Sequence, residues 1–253
     1  MDTIIISAAG GNPTAINFRG SVSREDYPEI NNKIQERYPQ VEQVGFYEEK
    51  DGLPKLQMAG GEFCGNGTRA FACLLKKRNP ESSNFVFYVS GYPAKVEAHV
   101  DYLGTGKYFC EAFFNSMKTR IEKKKLKGKD IAVVDMGGII HIIVEEKDFA
   151  FEELRFATNM KEIKDELSVD GEAVGVLWVN KEGNAIEMKP VVWVKEIDTC
   201  FYETSCGSGS LAIAFANQKS VRVKQPSGKD VTINLQKNGN VVMSSEMEEI
   251  NGK

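Results

Sequence analysis

Histidine is almost missing from this sequence, with two among 253 residues, and cysteine is sparse, with five. Five is an odd number and too few for a disulfide framework in a chain this long, so the cysteines are read as thiols. No Cys-x-x-Cys pair accompanies His99 and His141, which argues against zinc, and no metal is expected. An excess of one charge is also missing. Against 32 basic residues stand 36 acidic ones, a net charge of -4, so no broad positive field invites nucleic acid or anionic lipid. No apolar run approaches the ~18 residues of a membrane span, and Met1-Asp2-Thr3-Ile4-Ile5-Ile6 lacks the basic and long apolar regions of a signal peptide. The expectation is a cytoplasmic protein without membrane partners. What is present is ordinary: 42% hydrophobic and 27% charged residues exclude a disordered or collagen-like chain. The length fits one large domain or two of about 100–150 residues.

Short β-branched and aromatic runs recur between turn residues: Ile4 to Ile6, Phe85 to Val89, Ile131 to Val134, Ile139 to Val144, Val174 to Val179, Pro190 to Val194 and Val231 to Leu235. They read as strands. Helical pattern is clear in Ser23 to Tyr38 and in the segments after Cys64 and Cys206. The class is α+β, strand-heavy, with few helices. The lysine-rich stretch 118–129 reads as a solvated linker or exposed face rather than a nucleic-acid patch, and the domain boundary is placed there.

Two segments echo each other. Gly10-Gly11-Asn12-Pro13 precedes Cys64-Gly65-Asn66-Gly67, and Gly137-Gly138-Ile139-Ile140-His141 precedes Cys206-Gly207-Ser208-Gly209. This suggests an internal duplication: one half over 1–116, completed by a C-terminal strand at about 240–253, and another over 117–239. Lys76, Lys77 and Arg78 end the first helical run and Pro80 follows, so Cys64 lies at that helix's positive end. Cys206 stands in the same place before Leu211-Ala212-Ile213-Ala214.

A helix N-terminus offers unpaired N–H groups and partial positive charge, which bind a carboxylate and lower a neighbouring thiol's pKa. Glycines 65, 67, 207 and 209 leave those N–H groups open. Two such thiols facing one α-carbon form a two-base site: one removes a proton while the other delivers one to the opposite face. The amides stabilise the carbanion, and no cofactor is formally required. A structural cysteine beside a glycine turn explains either motif alone but not the pair. A cysteine hydrolase based on His141 leaves the second cysteine unused. Cys73 and Cys110 read as packing residues.

At these residues the chain resembles the cofactor-independent diaminopimelate epimerase family over nearly its whole length. That resemblance implies two pseudo-symmetric halves, each a sheet wrapped around a central helix, with the site in the cleft between them. It implies catalytic Cys64 and Cys206, a small amino-acid substrate and a homodimer. Gly65, Asn66, Gly207 and Ser208 belong to its two cysteine motifs, Asn12 matches a substrate-contacting asparagine, Gln43 a glutamine near the site, and His141 the histidine of a Gly-Asn-Pro-His motif. The departures concern the distal carboxylate. Its arginine position falls at Thr199, and an asparagine is replaced by Ala173. The stretch before Cys64 reads Gln57-Met58-Ala59-Gly60-Gly61-Glu62, and Gly138 replaces the asparagine of the histidine motif. A second carboxylate buried without a cation is costly.

The chain is more similar still to the histidine racemases of metallophore pathways of the staphylopine type. The similar stretches are Glu42-Gln43-Val44-Gly45-Phe46, Glu62-Phe63-Cys64-Gly65-Asn66, Val174-Gly175, Glu196-Ile197, Glu203 with Ser205-Cys206-Gly207-Ser208-Gly209, and Gln225-Pro226-Ser227-Gly228. This resemblance implies racemisation of histidine, with diaminopimelate epimerisation and a silent amino-acid-binding module as alternatives. Glu42 is the candidate partner of the substrate imidazole. Glu196 and Glu203 are the candidates for its ammonium. Competing readings remain: Glu42 as an exposed charge, His141 as a core histidine, Asn12 as a turn former and Glu203 as a loop cap.

Overall fold

The computed structural model describes residues 3–18, 22–115, 117–182 and 185–250. Strands β1 (Thr3–Ala8) and β2 (Gly11–Asn17) form an antiparallel hairpin. Helix α1 (Tyr27–Arg37) carries the chain to β3 (Gln43–Lys50), which runs parallel to β2. Strand β4 (Leu53–Met58) turns back on β3; α2 (Gly65–Arg78) then leads to β5 (Asn84–Val89), parallel to β4. A meander of β6 (Val96–Gly104) and β7 (Lys107–Phe114) follows.

Next, β8 (Arg120–Leu126), β9 (Lys129–Asp135) and β10 (Ile140–Glu145) pair antiparallel in turn. Helix α3 (Phe156–Glu166) connects to β11 (Ala173–Glu182), parallel to β10. Strand β12 (Ala185–Val194) turns back on β11 and carries the short β13 (Thr199–Tyr202). Helix α4 (Gly207–Asn217) leads to β14 (Val221–Lys224), parallel to β12, and then to β15 (Asp230–Leu235) and β16 (Val241–Glu249). The architecture is therefore mixed, rich in sheet and poor in helix. None of its helices among the described residues is long and apolar enough to cross a membrane.

Strand β16 pairs with β15 and β7, and also with β1, so β1 to β7 and β16 close into a ring. Helix α2 is buried from Gly65 to Leu75 and packs on β1, β2, β4, β5, β6, β7 and β16. Phe71 meets Phe87 edge to face, with centroids 5.3 Å apart. Deleting such a buried ring costs ~3–5 kcal/mol. Helix α4 is buried from Gly207 to Ala214 and packs on β9, β10, β14 and β15. Apolar residues surround it because strands cover it on several sides.

The lysine-rich stretch is not a linker. Residues Arg120 to Leu126 form β8, the outermost strand of the sheet order, with lysines 123, 125 and 127 exposed. Charged side chains on an edge strand discourage pairing with another chain. Helix α3 was not among the expected helices. It buries Met160 and Ile163 against the sheet through contacts with β11, β12 and β13.

Candidate active site

Each cysteine caps its own helix. Cys64 (φ -122, ψ 110) precedes α2, and Cys206 (φ -138, ψ 105) precedes α4. The Gly67 N–H donates to Cys64 Sγ at 3.1 Å, and the Gly209 N–H donates to Cys206 Sγ at 3.3 Å. The hydroxyls of Thr68 and Ser210 donate to the carbonyls of Cys64 and Cys206 at 2.7 and 2.9 Å. Thiols therefore occupy the position where a serine or aspartate would satisfy a first-turn N–H.

The two helix ends abut. A Cβ on Gly65 would stand 3.0 Å from both the Gly207 carbonyl carbon and the Ser208 nitrogen, while one on Gly207 would stand 3.0 Å from Asn66 Oδ1. These two glycines are demanded by the mutual approach of the helices, a stricter reason than access to the N–H groups. Asn66 Nδ2 donates across the junction to the Ser205 carbonyl at 2.7 Å. The Arg69 guanidinium lies beneath it, fully buried, and donates to Gly65 O, Asn66 Oδ1 and Ser245 Oγ.

Both thiols line one narrow cavity of about 10 Å³, together with Gln43, Glu62, Phe63, Gly65, Asn66, Ile139, Val192, Val194, Glu203, Gly207 and Ser208. It contains two carboxylates and no cation. The Cys64 thiol donates to Gln43 Oε1 at 2.7 Å, and Gln43 Nε2 donates to Glu203 Oε1 at 2.7 Å. The second bond fixes the amide's orientation and so keeps its oxygen toward the sulfur. Glu203 also lies near Cys206 and Asn12. On the other side, His141 Nε2 lies 3.0 Å from Ser208 Oγ, which is 3.5 Å from Cys206 Sγ. The Cys206 N–H is held by Gln225 Oε1 at 2.8 Å.

Electrostatically the cavity is short of positive charge. Burial, and after it the charge of Glu203, pushes both thiols far above their ordinary value. The lowering expected from the helix ends is present through the Gly67 and Gly209 N–H groups but is outweighed. Burial, then the charges of Glu42 and Glu62, raises Glu203 to about 8. Burial raises Glu62 to about 7, and burial lowers His141 to about 3. Glu62 Oε2, Glu203 Oε2 and His141 Nδ1 are buried without a hydrogen-bond partner.

Of the residues expected at the site, Cys64, Cys206, Gln43, Gly65, Asn66, Glu203, Gly207 and Ser208 line the cavity. His141 reaches it through Ser208. Asn12 and Glu42 stand outside the lining. Asn12 is fully buried in the left-handed region (φ 44); its N–H donates to Thr204 Oγ1 at 2.6 Å and its Nδ2 to Glu42 Oε2 at 3.2 Å. Glu42 also accepts from the Thr204 hydroxyl, so it clasps the loop before Cys206 to β2. Glu196 lies on an exposed turn outside the lining, because residues 195–198 merely link β12 to β13. Sequence reasoning missed Glu62, Arg69 and Gln225 as parts of this site. No group of three or more His, Cys, Asp or Glu suited to a metal occurs among the described residues.

A family model described as the histidine racemase CntK N-terminal domain matches residues 11–250. The chain belongs to the histidine racemase family, a family of isomerases. A histidine racemase of Fusobacterium nucleatum is 32% identical over 90% of this chain and 87% of its own length. Another, from Staphylococcus aureus, is 23% identical over 81% of this chain and 74% of its own. Among solved structures, a predicted epimerase from Pseudomonas aeruginosa is similar with a TM-score of 0.68 at 10% identity, covering 98% of this chain and 96% of that one. A PhzF-family phenazine biosynthesis protein of Bacillus anthracis has a TM-score of 0.64 at 10% identity, covering 99% and 98%. These two likenesses concern the fold.

Proposed function

We propose that this member of the family racemises histidine by a two-base mechanism in which Cys64 and Cys206 act on opposite faces of the α-carbon, without pyridoxal or metal. The observation that carries the reading is the meeting of two cysteine-capped helix ends at one cavity, where Gly65 touches Gly207. We read the chain as two similar halves, 1–116 with 240–253 and 117–239, with the site between them. The succession β1–β2–α1–β3–β4–α2–β5–β6 matches β9–β10–α3–β11–β12–α4–β14–β15, including the parallel pairs β2–β3 with β10–β11 and β4–β5 with β12–β14.

The hydrogen bonds support different roles for the two. Cys64 donates its S–H to a carbonyl oxygen, which favours the thiol and suits the proton donor. Cys206 has the Ser208 hydroxyl 3.5 Å from its sulfur, where it can donate to a thiolate. A His141 tautomer protonated at Nε2 donates to Ser208 and leaves a lone pair, rather than an N–H, unpaired at Nδ1. Cys206 thiolate takes the α-proton of L-histidine; the electron pair of the broken C–H bond spreads into the substrate carboxylate. Cys64 S–H then protonates the opposite face, leaving Cys64 as thiolate and Cys206 as thiol, ready for the reverse reaction. N–H groups at the two helix ends stand where the enolate charge develops, and buried Arg69 adds positive charge near both sulfurs.

The substrate brings the missing cations. Its ammonium fits Glu203, which adjoins both cysteines. Diaminopimelate, with a second carboxylate, does not suit a lining that already holds two carboxylates and no cation. In D₂O, L-histidine acquires α-deuterium and becomes racemic with no added cofactor, as read by NMR and chiral chromatography. No exchange with any amino acid overturns the proposal.

A further inference from the structure

We propose that Glu62 is the residue that selects the substrate's side chain, its carboxylate receiving the N–H or imidazolium of the ring while Glu203 serves the ammonium. This deepens the racemase reading and rests on it. Glu62 is 5% exposed and lines the cavity, and its Oε2 is buried without a hydrogen-bond partner. A buried carboxylate left in this way is expensive unless a ligand completes it. Glu203 has its other oxygen tied to Gln43 and lies beside the cysteines, so it belongs to the reacting carbon. Glu62 lies instead toward Val194: a Cβ on Gly60 would stand 2.9 Å from Glu62 Oε2 and 2.3 Å from Val194 Cγ1. Val192, Val194, Ile139 and Phe63 complete the lining with apolar surface suited to the faces of a ring.

Preorganisation favours the same role. The Glu62 carbonyl accepts the Ser90 hydroxyl at 2.8 Å, and that hydroxyl accepts the Met58 N–H at 3.0 Å. The Phe63 N–H donates to Gly138 O at 3.3 Å. Gly91 (φ +67) lies so close that its Cβ would be 2.3 Å from the Phe63 nitrogen. The backbone under Glu62 is thus clamped by β4, the turn after β5 and the turn before β10. Glu42, the carboxylate expected from the sequence to meet the imidazole, is engaged by Thr204 and Asn12 and lies outside the lining.

The test compares L-histidine with L-2-thienylalanine, whose ring is of similar size and has no N–H. Wild type exchanges the α-proton of L-histidine in D₂O with much the higher kcat/KM. In Glu62→Gln the value for L-histidine falls about 10–100-fold, mostly through KM, while that for thienylalanine stays within about threefold. The thermal stabilisation that L-histidine gives the wild type is also mostly lost in Glu62→Gln, a readout independent of turnover. An unchanged substrate ratio and unchanged stabilisation overturn the assignment to Glu62, as does a ratio that collapses in Glu42→Gln and survives in Glu62→Gln. Failure of the wild type to exchange either compound, with stabilisation by L-histidine that Glu62→Gln abolishes, sinks the racemase reading and leaves Glu62 as a binding determinant.

Discussion

The surroundings of the two cysteines differ although their helix caps are alike. At Cys64 the polar partner is Gln43, on β3, opposite Thr14 of β2; at Cys206 it is His141, on β10, opposite Gly175 of β11 and acting through Ser208. The same parallel pair of strands thus supplies one functional side chain to each thiol, from the second strand in one case and the first in the other. Gly175 is what permits the exchange: a Cβ there would stand 2.3 Å from His141 Nδ1. In the proposed mechanism the like helix caps hold the sulfurs, and the different strand residues beside them suit one to be the acid and the other the base.

Breaking the scaffold has the largest expected effect. Cys64→Ser and Cys206→Ser each lower racemisation at least ~10³-fold in chiral assays, since each removes one obligatory proton-transfer group. Next, Gly65→Ala forces the helix ends apart, because the atoms facing the new methyl include Gly207 and Ser208 backbone. Its kcat falls about 10–100-fold, and stability falls by ~1–3 kcal/mol in urea titrations. Gly175→Ala sharpens the comparison: it displaces His141 and lowers kcat about tenfold, with a matching effect from His141→Ala and little change in Cys64 alkylation.

The smallest effect is on stability against pH. Carboxyls raised to about 7 at Glu62 and Glu42 and about 8 at Glu203 bind protons in the folded state where the unfolded chain has lost them. Folding therefore becomes less favourable as pH rises through that range. His141, lowered to about 3, has the opposite slope, but only below the ordinary histidine value of 6.5. Between about pH 6.5 and 8 the Tm falls, and Glu62→Gln flattens the fall by ~2–4 °C. A Tm that rises over this interval contradicts the burial of these carboxylates.

The helix caps were legible because Cys-Gly-x-Gly before an apolar run combines a cap position with small residues at a helix start, and the repeated motif implied a partner. Most strands were legible from β-branched runs between turns. The lysine-rich β8 was obscured because an edge strand need bury little, so its apolar alternation is weak. Helix α3 carries Phe156, Met160, Ile163 and Leu167 at helical spacing, a signal that was available and unused. Glu62 had no local signal. Its place in the cavity lining is shared with Val194 and Glu203, which are distant in sequence, and its backbone is packed against Gly91. Glu42 was the carboxylate expected to meet the imidazole, and the Thr204 clasp that engages it is visible only in the fold.

The central claim, that the sulfurs serve opposite faces of one carbon, is tested most directly by α-deuterium wash-in with each single serine variant and each pure enantiomer of histidine. The account predicts complementary behaviour: Cys64→Ser exchanges L-histidine without inversion, and Cys206→Ser exchanges D-histidine without inversion. Exchange of the same enantiomer by both variants, or racemisation by either at the wild-type rate, contradicts it.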